Sequence, residues 1–464
     1  VLGPRGGGNR WRRWLSRGAV LAAALVLLLP GWPCDWAPLA VPSLSPYVAV
    51  AAAIAARLAT RATLLALPLA CLAILWPRCF CRWLCPTGLL MEVAGRLRGR
   101  GARVPLLGTT RVPLLGTSSA FQGVACPRDT ACAKQWHTGF PKFARPRLPN
   151  VGVWLVLFTL GGACLGYPLL VWLDPLAIFA AAVNTLGREA WRGAWLAGAA
   201  LPLVLLAGLL WPGLWCGRIC PLGATQDLLA VPARALGRGR RGPVPVIGAK
   251  LAWVPLLACP AVRKARLGKS RSPGGWPILR RTVLGMGFGG LAAAGLVRVA
   301  GAARPRPLRP PGAAGEDALS GLCVRCGNCA RVCPSRIIHP DLGRLGAESF
   351  LTPSIRFDDS YCLETCVRCT RVCPSGALRP LSPQQKGSAA IGLPRVDMSL
   401  CLLGEDRECA ICRTHCPYNA IRIVFSEADY LCVPRVDPRR CNGCGACQVM
   451  CPTRPAKAIV VYPT

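Results

Sequence analysis

The feature that most constrains the fold is a series of four cysteine bursts in the last third of a 464-residue chain. Cys323, Cys326, Cys329 and Cys333 follow C-x2-C-x2-C-x3-C with Pro334 next, and Cys441, Cys444, Cys447 and Cys451, ahead of Pro452, repeat that spacing. Between them, Cys362, Cys366, Cys369 and Cys373 before Pro374 open with three intervening residues, and Cys401, Cys409, Cys412 and Cys416 before Pro417 open with seven. Three cysteines two residues apart let a tight turn wrap three iron corners of a cubane, while the fourth, ahead of a proline, turns away to complete a neighbouring cluster. These 16 ligands predict four 4Fe-4S centres. Zinc sites instead use two C-x2-C pairs far apart. The two irregular bursts depart only at their first ligand. Exchange of the fourth ligand leaves two pairings open: adjacent bursts together, or the first with the fourth and the second with the third.

The rest of the chain is of another kind. Overall the sequence is 53% apolar with a mean hydropathy of +0.39, more than soluble enzymes carry. Predominantly apolar stretches at Gly18–Pro33, Thr63–Trp76, Val151–Trp172, Ala194–Trp211 and Val283–Ala300 predict about five membrane spans. Pro46–Ala59 and Ile247–Val262 are interrupted by a charge or proline and read equally as buried or interfacial helices. The formal charge of +36 is lopsided: 35 basic and 6 acidic residues precede about residue 302, against 21 and 14 after it. Twelve Lys/Arg lie between the second and third stretches and thirteen between the fourth and fifth, while the alternate loops carry two each. By the positive-inside rule the N-terminus and both basic loops are cytoplasmic and the C-terminal region is outside. The charge is a topology signal and requires no nucleic-acid partner. Tryptophans at stretch ends, such as Trp76, Trp172 and Trp211, read as an interfacial belt.

The apolar half carries an internal repeat. Leu67-Pro68-Leu69, Trp76-Pro77, Cys81-x3-Cys85-Pro86-x-Gly88 and Glu92 recur as Leu201-Pro202-Leu203, Trp211-Pro212, Cys216-x3-Cys220-Pro221-x-Gly223 and Asp227. Asp35–Ala40 likewise echoes Asp174–Ala177. A duplicated two-span unit predicts a pseudo-symmetric bundle with both C-x-x-x-C-P turns on one, cytoplasmic, face. Together Cys81, Cys85, Cys216 and Cys220 could hold one further cluster. The alternative is two clusters, each turn recruiting others from Cys79, Cys126 and Cys132, or no cluster at all. Cys34, Cys71, Cys164, Cys259 and Cys432 fall outside any array and read as packing residues. A small tandem copy, Arg103–Thr109 and Arg111–Thr117, reads as a loop insertion.

Residues 323–462 resemble MauM/NapG-type ferredoxins, including the seven-residue gap before Cys409 and the Cys412-Arg413-Thr414-His415-Cys416-Pro417 run. Residues 15–230 resemble NapH/NosR/CcoG-like membrane polyferredoxins through the two C-x-x-x-C-P-x-G turns. The resemblance implies a membrane-bound iron-sulfur protein that takes electrons from the quinol pool to a periplasmic reductase or dehydrogenase. The alternative it implies is a maturation or regulatory protein supporting assembly of another metalloenzyme. Arg280-Arg281-Thr282-Val283-Leu284 before a glycine-rich apolar segment resembles a twin-arginine export signal kept as a span.

The expected organisation is an α-helical membrane bundle followed by an α+β ferredoxin-like domain. In order these are a membrane module (1–230), a basic cytoplasmic loop (231–282), an anchor span (283–300), a Pro/Arg/Gly/Ala-rich linker (301–317) and the polyferredoxin domain (318–464). Three histidines and no C-x-x-C-H argue against haem. His415 reads as an exposed turn residue or as one that tunes a cluster potential by hydrogen bonding, His339 as a loop residue, His137 as a weak proton-relay candidate, and Gly285, Gly287 and Gly290 as a chance dinucleotide-like spacing. No constellation for hydrolysis and no flavin site stands out, so no independent catalytic site is expected.

Overall fold

Proline sets the limits of several helices in the N-terminal region. The residue before a proline is pushed out of the helical backbone region, and Trp76 and Trp211 each precede one. In a computed structural model of the protein, the described residues are 10–28, 37–57, 61–76, 78–101, 150–186, 194–211, 213–231, 276–300, 306–343, 346, 349–405, 407–427 and 430–464. The helices of the N-terminal part are α1 (Arg10–Leu28), α2 (Ala37–Ser43), α3 (Pro46–Ala56), α4 (Arg61–Leu75), α5 (Cys79–Trp83), α6 (Pro86–Gly101), α7 (Val151–Cys164), α8 (Pro175–Leu186), α9 (Ala194–Gly198), α10 (Ala200–Leu210), α11 (Pro221–Leu229) and α12 (Trp276–Ala300). A π-helical turn, Trp215–Ile219, precedes α11 where α5 precedes α6. The sequence repeat is thus a structural repeat.

Helices occupy all five apolar stretches. Among the described residues no single helix is both long and apolar enough to cross a membrane, whereas α2 and α3, bent by 93°, reach that length and composition together. Of the doubtful stretch beginning at Pro46, residues Pro46–Ala56 form the helix α3, closed by Arg57 in the left-handed conformation. Ile247–Val262, the tandem copy at 103–117, Cys34, Cys126, Cys132, Cys259 and His137 lie outside the described residues.

Helix α12 packs along α7, and the contacts run in step: Gly285 lies against Trp154 and Leu157, Gly289 against Phe158, and Ala293 beside Gly162. The two helices are therefore parallel. A side chain at Gly289 would run into the Phe158 backbone, and one at Gly161 into the Met286 backbone. Small residues at four-residue spacing are what such close backbone contact requires. Of the glycines that mimic a nucleotide fingerprint, Gly285 and Gly290 lie on this helix-packing seam and Gly287 faces open space.

The cysteine-rich region is built from short pieces: α13 (Glu316–Leu322), α14 (Asn328–Arg331), α15 (Arg368–Arg371), α16 (Pro383–Lys386), α17 (Ile411–Thr414) and α18 (Ala446–Met450). Three two-stranded antiparallel ladders link them. These are β1 (Ile338–Pro340) with β2 (Pro353–Ile355), β3 (Leu393–Val396) with β6 (Ile459–Tyr462), and β4 (Ile421–Ser426) with β5 (Leu431–Val436). Its apolar cores enclose the cysteines themselves: Cys362, Cys369 and Cys444 pack with Leu319, Ile338, Phe357 and Val461, and Cys401, Cys447 and Cys451 with Ile421 and Ile459.

The expected linker ends early. From Arg306 onward the described chain belongs to the domain: Ile355 N–H donates to Leu308 O, Ala314 N–H to Ala377 O, and Ala313 bridges Leu378. Arg309 is buried, with its guanidinium on Glu316, Thr352 and the Pro353 carbonyl. Composition reads this stretch as a spacer because proline and arginine dominate it. The buried arginine finds its partners 7 to 44 residues away.

Candidate iron-sulfur centres

Each burst begins in a tight turn, and the regular ones show why glycine serves there. In the last burst Gly443 and Gly445 take positive φ angles of 75° and 84°, and a side chain on Gly445 would strike Phe357. Arg325 and Gly327 hold the matching positions in the first burst, at 57° and 76°. The left-handed steps turn the loop so that successive cysteines face inward.

The fourth cysteine of each burst joins the adjacent burst. Cys323, Cys326, Cys329 and Cys373 line one cavity, of about 830 Å³ including its open mouth. Cys333, Cys362, Cys366 and Cys369 line a second of about 330 Å³, and Cys401, Cys409, Cys412 and Cys451 a third of about 340 Å³. Cys416 lies in electrostatic reach of Cys441, Cys444 and Cys447. Of the two pairings open in the sequence, the structure has the adjacent one.

Burial pushes the Cys412 and Cys444 thiols up to about 11. Free thiols there would stay protonated at neutral pH, so a bound cluster would displace protons. At Cys451 burial raises the thiol, but hydrogen bonds from Thr453 and from backbone N–H groups bring it below the ordinary thiol value. A hydroxyl directly after the Cys-Pro pair recurs, with Thr87 at 3.0 Å from Cys85 Sγ and Thr453 at 3.2 Å from Cys451 Sγ. Among the described residues no three His, Cys, Asp or Glu converge on a point one metal ion could occupy. A tetrahedral zinc site needs that convergence; a cubane, gripping a cysteine at each of four iron corners, does not. The residues present fit 4Fe-4S groups.

The sets lie end to end. Cys329 feels the charge of Cys369, and Cys362 N–H donates to Cys444 O at 2.9 Å. Cys447 feels Cys412, and both pack in one core with Cys401 and Cys451.

In the helical region, the C-x-x-x-C-P turns meet. Cys81 is in electrostatic reach of Cys85 and Cys216, and Cys220 of all three. Both turns use one device: Gly88 N–H points at Cys85 Sγ (3.3 Å) and Gly223 N–H at Cys220 Sγ (3.5 Å), so each thiol caps a helix whose first residue is proline. A helix N-terminus favours the thiolate. Gln226 Nε2 adds a hydrogen bond to Cys81 Sγ at 3.2 Å. Two ion pairs flank the site, Arg17 with Glu92 (2.7 Å) and Arg78 with Asp227 (2.5 Å), and their acids are repeat equivalents. Cys79 is partly buried, and Cys126 and Cys132, the other candidates for a second cluster, lie outside the described residues. Cys71, Cys164 and Cys432 are exposed.

The first C-terminal set is plugged into the helical region. Asn184, near the end of α8, donates to Cys326 O and Asn328 Oδ1, both at 2.8 Å, and accepts from Arg331 Nη1 at 2.9 Å. Asn328 Nδ2 reaches Pro38 O at 2.8 Å, Gly321 lies against Tyr167, and Arg325 stacks over Trp172 at 5.1 Å. Sequence reasoning passed over Asn184; the signal is a lone amide in an otherwise apolar helix. It also passed over the buried Ser45–Asp174 bond of 2.6 Å, which holds the carboxylate that caps α8 through Leu176 and Ala177 N–H. His339 lies on β1, and His415 closes α17 beside Cys416.

Comparison with known proteins supports the same division. A 4Fe-4S dicluster domain model matches residues 322–377, and a 4Fe-4S binding domain model matches 434–455. Another 4Fe-4S binding domain model matches the helical repeat twice, at 58–105 and 191–242. The chain is 32% identical to the methylamine utilization ferredoxin-type protein MauM of Methylorubrum extorquens, over 40% of this chain and 87% of that protein. It is 35% identical to the ferredoxin-type protein NapG of Escherichia coli, over 35% of this chain and 75% of that protein. With the ferredoxin-type protein NapF of Haemophilus influenzae it shares 33% identity over 31% of this chain and 74% of that protein. No solved structure matches.

Proposed function

Since the chain belongs to the MauM and NapG family of ferredoxin-type iron-sulfur proteins, we propose that it is a membrane-bound electron-transfer protein carrying electrons from quinol through four 4Fe-4S centres to a periplasmic redox partner. The observation that carries this reading is the end-to-end series of four cysteine sets, the first seated on the helical region at Asn184. The ligands, in order of transfer, are Cys323, Cys326, Cys329 and Cys373; Cys362, Cys366, Cys369 and Cys333; Cys441, Cys444, Cys447 and Cys416; and Cys401, Cys409, Cys412 and Cys451. When bound, the clusters supply one-electron carriers. The chain supplies order, spacing and exclusion of water. The partner is read as docking at the far end, beside Cys401 and Cys409.

Membrane residence is supported by apolar side chains that the helical region leaves uncovered, among them Leu75 at 74%, Leu291 at 72% and Trp195 at 69% exposure. Such a surface marks contact with lipid or another protein. The cavity of the first set is continuous with Ala181, Thr185 and Ala197, which would give a lipid-borne quinol a route to it. A fifth centre at Cys81, Cys85, Cys216 and Cys220 would stand at the other end of α7. Gly152 abuts the Cys220 carbonyl and Gly162 abuts Tyr167, a helix run of about 15 Å at 1.5 Å per residue.

The test is direct. In membranes containing the protein, an added quinol should reduce the C-terminal centres, followed by EPR on the timescale of turnover. Centres that dithionite reduces and quinol does not would defeat the reading.

A further inference from the structure

Lys386 is the most deeply buried charged side chain of the cysteine-rich region, with no exposed surface at all. It ends α16, a single turn fixed by a capping box: Ser382 Oγ accepts from Gln385 N–H, Gln385 Oε1 accepts from Ser382 N–H, and Pro383 occupies the first turn. That turn aims the ammonium inward. Nζ donates to Leu363 O and Cys366 O, both at 2.7 Å, and Cys362 is hydrogen-bonded to it as well. The three donors of an ammonium are thus spent on one cysteine loop.

Among the described residues Lys386 forms no ion pair with a carboxylate. A buried charge is costly unless an opposite charge compensates it. The two carbonyls solvate the ammonium but bring no charge. The compensating charge available at this position is that of the thiolates and of the cluster they would hold.

We propose that Lys386 sets the reduction potential of the centre held by Cys333, Cys362, Cys366 and Cys369, its ammonium stabilising the reduced state. This rests on reading those four cysteines as a 4Fe-4S ligand set. Reduction would place one further negative charge on the cluster, and a fixed cation bound to the loop that carries Cys362 and Cys366, in a poorly screened interior, favours that charge. The electron arrives from a neighbouring centre, and no proton is required. The centre concerned is second in the series, so its potential governs whether electrons rest there or move on.

The experiment compares the full-length protein with Lys386→Met and Lys386→Arg by iron analysis and EPR-monitored redox titration. The second centre is identified as the signal that Cys366→Ala removes. Lys386→Met should keep the iron content and shift that one titration to lower potential by at least tenfold in the oxidised-to-reduced ratio, about 59 mV for one electron. Lys386→Arg should move it by less than half as much, with the other titrations unmoved in both. An unchanged potential in Lys386→Met, or an equal shift in Lys386→Arg, overturns the proposal. Should Lys386→Met lose iron, Lys386→Gln carries the same expectation, and loss of the centre there too leaves Lys386 a purely structural role. A wild-type protein with no signal for Cys366→Ala to remove would sink the ligand assignment itself.

Discussion

In the helical region two C-x-x-x-C-P turns, 135 residues apart, each bring two cysteines to a shared site. In the C-terminal region each burst holds four cysteines, keeps three and gives the fourth to its neighbour. Both regions therefore bring cysteines together across two segments, by different means. The duplicated helices do so through the symmetry of a bundle, in which neither turn is complete alone. The bursts do so through reciprocal exchange, which ties two centres into one unit. Symmetry yields a single site; exchange yields pairs that can be joined into a series, here through the Cys362 to Cys444 hydrogen bond.

Substitutions can break this comparison at several strengths. The largest effect is expected from Cys373→Ala. It should remove the centre of Cys323, Cys326 and Cys329 and abolish quinol-dependent reduction of the remaining centres, although Cys373 belongs to the next burst in sequence; EPR and iron analysis read the loss. Loss of the Cys362 centre instead would refute exchange. Next, Cys81→Ser and Cys216→Ser should each remove the same helical centre, and the double variant should lose no more iron than either. Additive loss would mean two separate sites. A smaller effect belongs to the contact between the regions: Asn184→Leu strands the Cys326 carbonyl and the Asn328 and Arg331 side chains, costing about 1–3 kcal/mol. Earlier thermal unfolding of the cysteine-rich region would show it. Smallest, Ser382→Ala removes the cap of α16 and should cost about 1 kcal/mol, measurable as a lowered unfolding midpoint with iron retained.

Much of this was legible in the sequence because cysteine spacing is a local geometric constraint. The sets, the repeat and the places of the helices all follow from short-range patterns. What was not legible depends on distance. The exchange partner of Cys333 is decided by which loops pack together, and nothing within the burst states it. Arg309 reads as a linker charge until Glu316, Thr352 and Pro353 surround it. Nothing in Pro383-Gln384-Gln385-Lys386 marks Lys386 as buried, since the capping box and the carbonyls of the second burst turn it inward.

Ligand exchange also imposes a timetable on synthesis. A centre begun by Cys323, Cys326 and Cys329 has no fourth ligand until Cys373 has emerged from the ribosome, and one begun by Cys401, Cys409 and Cys412 waits for Cys451. If these sets hold the proposed centres, neither pair has its full complement of ligands until both of its bursts have been made.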